Sequence, residues 1–405
     1  MGNTLLTIEM ITRKSLLILE NNSVLSRFVN RQYDSSYAIE GAKIGTALRI
    51  RLPDRCLVTD GAALQAQDDN EQYTTLTVSS QKHVGLNFTS AELTMQLDDF
   101  AERVLKPRIS QLASTIDADL ASVYKSFYNS VGTPGTTPAT SLVLLQGMAK
   151  LDNTAAPMSN RYCTVNPDAN VGLVEGMKGF FNPQDTISKQ FHSGRMGTGV
   201  LGYDEIAMSQ SIQMHTTGTR TATPSTLTIA ATVSSQGQST LSITGDSGAA
   251  TFNQGDVFTV AGVYAVNPQT RQSTGSLQQF TVLNTATASS GTWSSINVSP
   301  AMYTADNALA TINAFPQSGA GVTVVGAANT SYPQNLIYHK DAISLATADL
   351  VMPTNVDMSA RQIHNGISMR IIRQYDINND RLPTRVDVLY GFNAIRPELG
   401  VRMWG

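Results

Sequence analysis

The chain has 405 residues, 41% of them hydrophobic, 15% charged and 7% aromatic, with a formal net charge of −3. So few charges beside ordinary apolar content exclude a disordered chain. The near-neutral balance excludes a global electrostatic footprint for nucleic acid or an acidic membrane, and the two cysteines, Cys56 and Cys163, exclude a disulfide scaffold or a cysteine-rich zinc module.

The opening Met1-Gly2-Asn3-Thr4-Leu5-Leu6 has neither the apolar core nor the cleavage site of a signal peptide. No stretch approaches the ~18 apolar residues of a membrane span. A soluble protein made in a cytoplasm, with no membrane partner, is expected. Leu5 to Leu19 is predicted as an amphipathic helix, with Arg13-Lys14 off its apolar stripe. Arg49-Ile50-Arg51-Leu52 alternates like one arm of a hairpin, and Leu76 and Val78 like the other. Between them Gln65 to Gln72 is a polar loop, of a length that usually carries function.

The strongest helical signal follows. Phe100 and Val104 precede Pro107, then Ile109, Leu112, Ile116, Leu120, Val123 and Phe127 recur at steps of three and four. Pro107 suits a helix start, so one helix is predicted from Pro107 to Tyr128, roughly 33 Å long at 1.5 Å per residue. Asn129 to Thr140, with two prolines and two glycines, ends it. A helix is predicted over Leu142–Leu151, a strand over Tyr162–Val165 and a helix start at Asn166-Pro167-Asp168.

Charge then nearly vanishes. Between Thr216 and Pro333 the charged residues are Arg220, Asp246, Asp256, Arg271 and Asp306. Leu227 and Ile229, Leu241 and Ile243, Phe280 and Val282, Ile296 and Val298, and Val322 and Val324 alternate between Ser- and Gly-rich breaks. That pattern predicts the short half-buried strands of an all-β module, inserted in a mixed host. Beyond it, Asp341 to Ala348 reads as helix. Ile367–Gln374 and Arg385–Tyr390 read as strands joined by the turn-rich Asp376 to Pro383.

Candidate chemistry is sparse. Gly197-x-Gly199-x-x-Gly202 matches the dinucleotide fingerprint, but polar Ser188 to Ser193 replaces the buried strand that must precede it. No acid follows at the ribose-binding distance, so a flexible glycine loop is the better reading. His83, His192, His215, His339 and His364 stand in no metal-ligand spacing and are read as satisfied structural histidines. Asp98-Asp99 and Asp117-x-Asp119 lie on helical stretches, the first pair suiting a helix N-terminus. No catalytic residue, cofactor or metal is assigned. A terminal arm, a long loop, a spine helix and a low-charge β insert suit a protein whose work is contact. Arm and loop are expected to bury little in their own subunit and to need neighbours to order them.

Phe252-Asn253-Gln254-Gly255-Asp256-Val257-Phe258-Thr259-Val260-Ala261-Gly262-Val263-Tyr264-Ala265-Val266-Asn267-Pro268 resembles the insertion-domain signature of short-tailed Salmonella-type phage coat proteins. Tyr338-His339-Lys340-Asp341-Ala342 is similar to that family's return to the capsid core. Leu389-Tyr390-Gly391-Phe392-Asn393-Ala394-Ile395-Arg396-Pro397-Glu398 is similar to its ending, and Phe181-Asn182-Pro183-Gln184-Asp185 also fits. The resemblance implies an α+β, Hong Kong phage-type major capsid fold with an inserted all-β barrel domain. Its parts would be an N-terminal arm over 1–35, an E-loop with flanking strands over 36–80 and a P-domain with the spine helix over 81–139. An A-domain over 140–215 and 336–365 would be interrupted by the β-barrel at 216–335, and 366–405 would close the P-domain.

The implied function is self-assembly, through pentamers and hexamers, into the icosahedral head shell around double-stranded DNA bound without sequence specificity. A scaffold-assisted precursor would expand on maturation, with Gly132–Gly135 and the glycines at 194–202 as hinges. Scaffolding, portal and decoration proteins are the implied partners, the bacterial cytoplasm the place of assembly and the virion the location. On the E-loop, Arg49, Arg51 and Arg55 are expected to pair with carboxylates of an adjacent subunit. The rival readings are an adhesin-type tail or surface protein, against which the lack of repeats counts, and an enzyme using the Gly197 loop.

Overall fold

The structure, a computed structural model, describes residues 8–33, 47–59, 61–62, 66, 71–87, 106–177, 197–220, 227–364 and 367–405. Phe100, Val104, Asp98-Asp99, His192, Phe181–Asp185, Ser188–Ser193 and most of Gln65–Gln72 lie outside the described residues. The chain forms two compact units. One comprises the described residues of Met1–Ile50, Tyr73–Leu120 and Ile343–Ile395; the other, those of Arg51–Gln72, Ala121–Ala342 and Arg396–Gly405.

In the first unit a five-stranded antiparallel sheet runs in the order Ile343–Ala348, Thr384–Ala394, Ile367–Arg373, Met358–His364, with Ser80–Leu86 also paired to Thr384–Ala394. Ile343–Ala348, expected to be helical, is a strand. Five of its six residues are buried, so neither a period of two nor one of 3.6 is visible in the sequence. Ala47–Arg51 and Tyr73–Thr77 pair as the two hairpin arms. The spine helix is shorter than its periodicity suggests. It spans Lys106–Ala121, about 24 Å, and the apolar spacing continues into a 3₁₀ segment, Ser122–Ser126.

The N-terminal arm also departs from expectation, because its described part is fixed within its own subunit. Helix α1 (Ile8–Asn22) packs on Met358–His364 and Ile367–Arg373 and buries Leu16 and Leu19. After the short α2 (Leu25–Phe28), Asn30 N–H donates to the Ile343 carbonyl at 2.9 Å, and the Asn30 carbonyl accepts Leu345 N–H at 3.0 Å. From the spine helix, here α3 (Lys106–Ala121), the Asp117 carboxylate accepts Val24 N–H at 2.6 Å and Ser26 N–H at 3.2 Å. It thereby satisfies backbone donors that a helix start leaves unpaired. The described part of the arm buries leucines and has its turn capped by Asp117 of the spine helix, so it is ordered by contacts within its own subunit.

Burial pushes the Asp117 carboxyl up to about 6 from an ordinary 3.8, against the opposing pull of the Val24, Ser26 and Leu25 N–H groups and of Arg31. The folded chain therefore holds this proton more tightly than the unfolded chain does. The group's contribution to stability rises as pH falls through about 6 and is complete below about 4, on the order of 3 kcal/mol in all. An Asp117→Asn variant should lack that slope. Chemical unfolding of both proteins between about pH 4 and about pH 7 measures it, and parallel curves would remove the assignment.

The second unit holds a seven-stranded sheet in the order Asn129–Val131, Gly400–Trp404, Ser331–His339, Arg161–Val165, Tyr203–Met208, Gly197–Val200, with Met214–Thr216 paired to Ser331–His339. Helices α4 (Ser141–Asn153) and α5 (Pro167–Met177) belong to this unit. Asn166 Oδ1 accepts Ala169 N–H at 3.0 Å and starts α5 as the sequence indicates. The charge-poor segment forms a six-stranded sheet. Its order is Val322–Val324, Val257–Val266, Ser273–Val282, Thr292–Met302, Gln238–Thr244, Thr228–Ile229. The strands at the two ends of that order meet: Thr228 bridges Gly321, and Val322 N–H donates to the Leu227 carbonyl at 2.9 Å. Every alternating residue named above lies in its own buried apolar cluster, around Phe252 and Trp293 with ring centroids 4.7 Å apart.

Candidate functional site

The Gly197 motif is not a free loop and does not lead to a helix. Gly197–Val200 and Tyr203–Met208 are antiparallel strands, with Val200 opposite Tyr203 and Leu201 and Gly202 at φ 52° and 82°. This is a tight hairpin, and the helix N-terminus a pyrophosphate needs is replaced by a strand. Gly132 and Gly135, read as hinges, also sit in turns with positive φ, and Gly135 N–H donates to the Gly405 carbonyl at 3.1 Å.

Arg49, Arg51 and Arg55 each meet a different partner within the chain. Arg49 lies in the first unit with its guanidinium 4.9 Å from the Tyr73 ring centre. In the second unit Arg51 meets Glu71 at 3.1 Å, and Arg55 meets Glu398 at 3.6 Å; Glu398 also takes Arg396 at 3.1 Å. The Arg51–Glu71 pair is open to solvent, its side chains 78% and 55% exposed.

The densest chemistry is a buried hub that the sequence did not single out. Asp256 ends a turn that starts at Asn253, with Gly255 at φ 97°. Its Oδ2 accepts Asn253 N–H at 2.8 Å, Gly218 N–H at 3.1 Å and Arg220 Nη1 at 3.1 Å. Its Oδ1 lies 3.0 Å from His215 Nε2, and His215 Nδ1 lies 3.2 Å from the Tyr124 hydroxyl. Burial holds the imidazole below its ordinary value despite its bond to Asp256, and pushes Tyr124 up to about 12. The consistent arrangement is Tyr124 O–H donating to Nδ1 of a neutral imidazole whose Nε2–H donates to Asp256.

Beside them Arg402 Nη1 donates to the Gly255 carbonyl at 2.7 Å and Nη2 to Thr281 Oγ1 at 3.1 Å. The guanidinium lies 5.6 Å from the Tyr124 ring centre and 5.5 Å from that of Trp404. Arg220, Asp256 and Arg402 are all wholly buried. One clue was legible: two of the five charged residues between Thr216 and Pro333 are Arg220 and Asp256, and charge in so apolar a setting is buried only when paired. The other partners, Tyr124 and Arg402, are too distant in sequence to be linked to it. Among the described residues no group of three or more His, Cys, Asp or Glu is placed to hold a metal ion, and no helix is long and apolar enough to cross a membrane.

Sheets braced to one another through a buried ionic hub fit a structural role, and the sequence family makes that role a phage coat protein's. The chain belongs to the P22 coat protein family, whose model, described as "P22 coat protein - gene protein 5", matches residues 5–405. It is a major capsid protein that forms the phage head shell, hence a virion component, and its family is structural, not enzymatic. No curated protein matches the chain. Among solved structures it is similar to that of Mycobacterium phage Che8, at 11% identity and TM-score 0.49 over 94% of this chain and 90% of that one. It is also similar to the virus-like particle from Pyrococcus furiosus, at 9% identity and TM-score 0.39 over 98% of both chains. The CUS-3 coat protein I-domain matches at 26% identity and TM-score 0.20, over 24% of this chain and 94% of that one.

Proposed function

We propose that the subunit enters the shell as pentamers and hexamers, in a precursor built with a scaffolding protein and closed around a portal, which expands as double-stranded DNA is packaged. The family match over residues 5–405 carries this reading. Residues 216–335 act as an inserted β-barrel in an α+β host, supported by the bridge from Thr228 to Gly321 and by the separate buried cluster. Heterologous contacts that close into rings and then a shell can each be weak, because several neighbours hold every subunit. Electron microscopy of the chain expressed with and without its scaffold is the direct test. Hollow spheres that grow in radius on mild heating are expected; their absence under both conditions would sink the proposal.

On the E-loop, Arg49, Arg51 and Arg55 exchange their contacts within the chain, Tyr73, Glu71 and Glu398, for carboxylates of an adjacent copy. The exposed Arg51–Glu71 pair contributes about 0–1 kcal/mol to the fold. Arg51→Glu should therefore leave the unfolding midpoint almost unchanged while soluble subunits accumulate and shells become rare. Sedimentation of the variant separates the two, and a normal shell yield would show that Arg51 makes no such contact.

A further inference from the structure

We propose that Arg402 and Gln279 are positioning residues that hold the six-stranded sheet at one orientation to the seven-stranded sheet, and that shell growth depends on that orientation as well as on the strands being folded. This rests on reading 216–335 as an inserted unit.

The six-stranded sheet has an apolar cluster of its own, which includes none of the residues that tie it to the seven-stranded sheet. The ties are polar and directional. Arg402, on Gly400–Trp404, forks onto the Gly255 carbonyl and Thr281 Oγ1. Thr281 Oγ1 donates to the Lys125 carbonyl at 3.2 Å. Gln279 Oε1 accepts Ser130 N–H at 2.7 Å, while Gln279 Nε2 donates to the Ser130 carbonyl at 3.1 Å and to Ser130 Oγ at 2.9 Å. Asn267 Nδ2 donates to the Asn153 carbonyl at 3.0 Å on the exposed side. Beside these bonds Val257 meets Tyr332 and Trp404, with Val325 packed against them.

Directional bonds fix an angle that apolar faces would leave loose. Their chemistry is poorly suited to stability alone. Burial holds the Arg402 guanidinium down to about 10, and the Asp256 carboxylate near it is already bonded to Arg220 and His215. A buried cation so weakly compensated is worth less to folding than an apolar side chain of the same volume. Its geometric value, a planar fork that spans a turn and a strand of the insert, is what no apolar side chain supplies. With the His215–Asp256 bond beside them, these bonds make the insert's orientation a property of a few named side chains.

The test uses the full chain with Arg402→Met, Arg402→Lys and Gln279→Leu, read by amide exchange and by shell yield. Amides of Ser130, Gly255 and Val282 are expected to exchange at least about tenfold faster in Arg402→Met, while those within Thr292–Met302 stay within about twofold of wild type. Shell yield should fall about tenfold, with partial recovery in Arg402→Lys, which keeps the charge but not the fork. Wild-type shell yield from Arg402→Met overturns the proposal. So does loss of protection throughout Thr292–Met302, since the residue would then fold the unit, not aim it. If Arg402→Met is insoluble, the half-buried Gln279→Leu decides by the same two readouts. Failure of the wild-type chain to form shells would count against the assembly reading alone, because the exchange pattern would still report the brace.

Discussion

Asp256→Ala is expected to destabilise the second unit by about 3–5 kcal/mol, the range for removing one partner of a buried ion pair. The loss is large because the carboxylate serves four donors. Without it Arg220 keeps the Gly218 carbonyl at 3.3 Å, while the N–H groups of Gly218 and Asn253 and the Nε2–H of His215 lose their acceptor. Asp256→Asn should cost less, since it retains one acceptor oxygen and the side-chain volume. The two tryptophans, Trp293 and Trp404, are both buried in this unit, so their fluorescence reports its denaturant midpoint. Acid should act in the same direction. His215 is held below its ordinary 6.5 by burial, so the unfolded chain takes up that proton more readily. The stability tied to the neutral ring is whole above about pH 6.5 and is lost as pH falls below it. That is opposite in sign to Asp117 in the first unit. A midpoint shift for Asp256→Ala of less than about 1 kcal/mol would show that the hub contributes little to folding.

Periodic, one-faced elements were legible from residues alone. Leu241 and Ile243, Phe280 and Val282, and Ile296 and Val298 alternate in the sequence and are buried together, because each strand has one face on a shared core. Elements buried on both faces are not legible, and nothing in the residues of Ile343–Ala348 sets its strand apart from a helix. Asn129–Val131 carries no strand signal of its own because its burial comes from pairing with Gly400–Trp404, a partner remote in sequence. The spine helix is shorter than its spacing suggests: Leu120 and Val123, three apart, share a face in 3₁₀ winding too, and Phe127 follows in extended backbone. The docking of the arm is hidden because Asp117, which caps α2, lies on a different element. Of the hub, the Gly255-Asp256 turn stood out only through a family resemblance, whereas its meaning lies in Arg220, His215, Tyr124 and Arg402. Sequence distance hides such a site more completely than weak patterning does.

Gly391→Ala is expected to be the most damaging single-methyl change in the first unit. Gly391 lies in Thr384–Ala394 opposite Ala346 and has no unusual backbone angle to protect, so its need for glycine is one of space. A Cβ there would stand 2.1 Å from the Thr77 carbonyl oxygen and 2.7 Å from both Thr77 C and Val78 Cα. All three are backbone atoms, so no side chain can rotate aside. Relief requires Thr77 to retreat, and the same segment buries Leu76 and Val78 and accepts Asn393 Nδ2 on the Thr75 carbonyl at 2.7 Å. Overpacking a rigid contact of this kind costs about 3 kcal/mol or more. Gly85, on the neighbouring strand Ser80–Leu86, is the matched control: a Cβ there meets nothing within 4 Å. Gly85→Ala should stay within about 0.5 kcal/mol of wild type, with any gain coming from the reduced freedom of the unfolded chain. Parallel urea titrations of the two variants measure the difference. Equal midpoints would mean that the strand carrying Gly391 does not run against the backbone of Thr77, and the packing of the hairpin arm on this sheet would have to be redrawn.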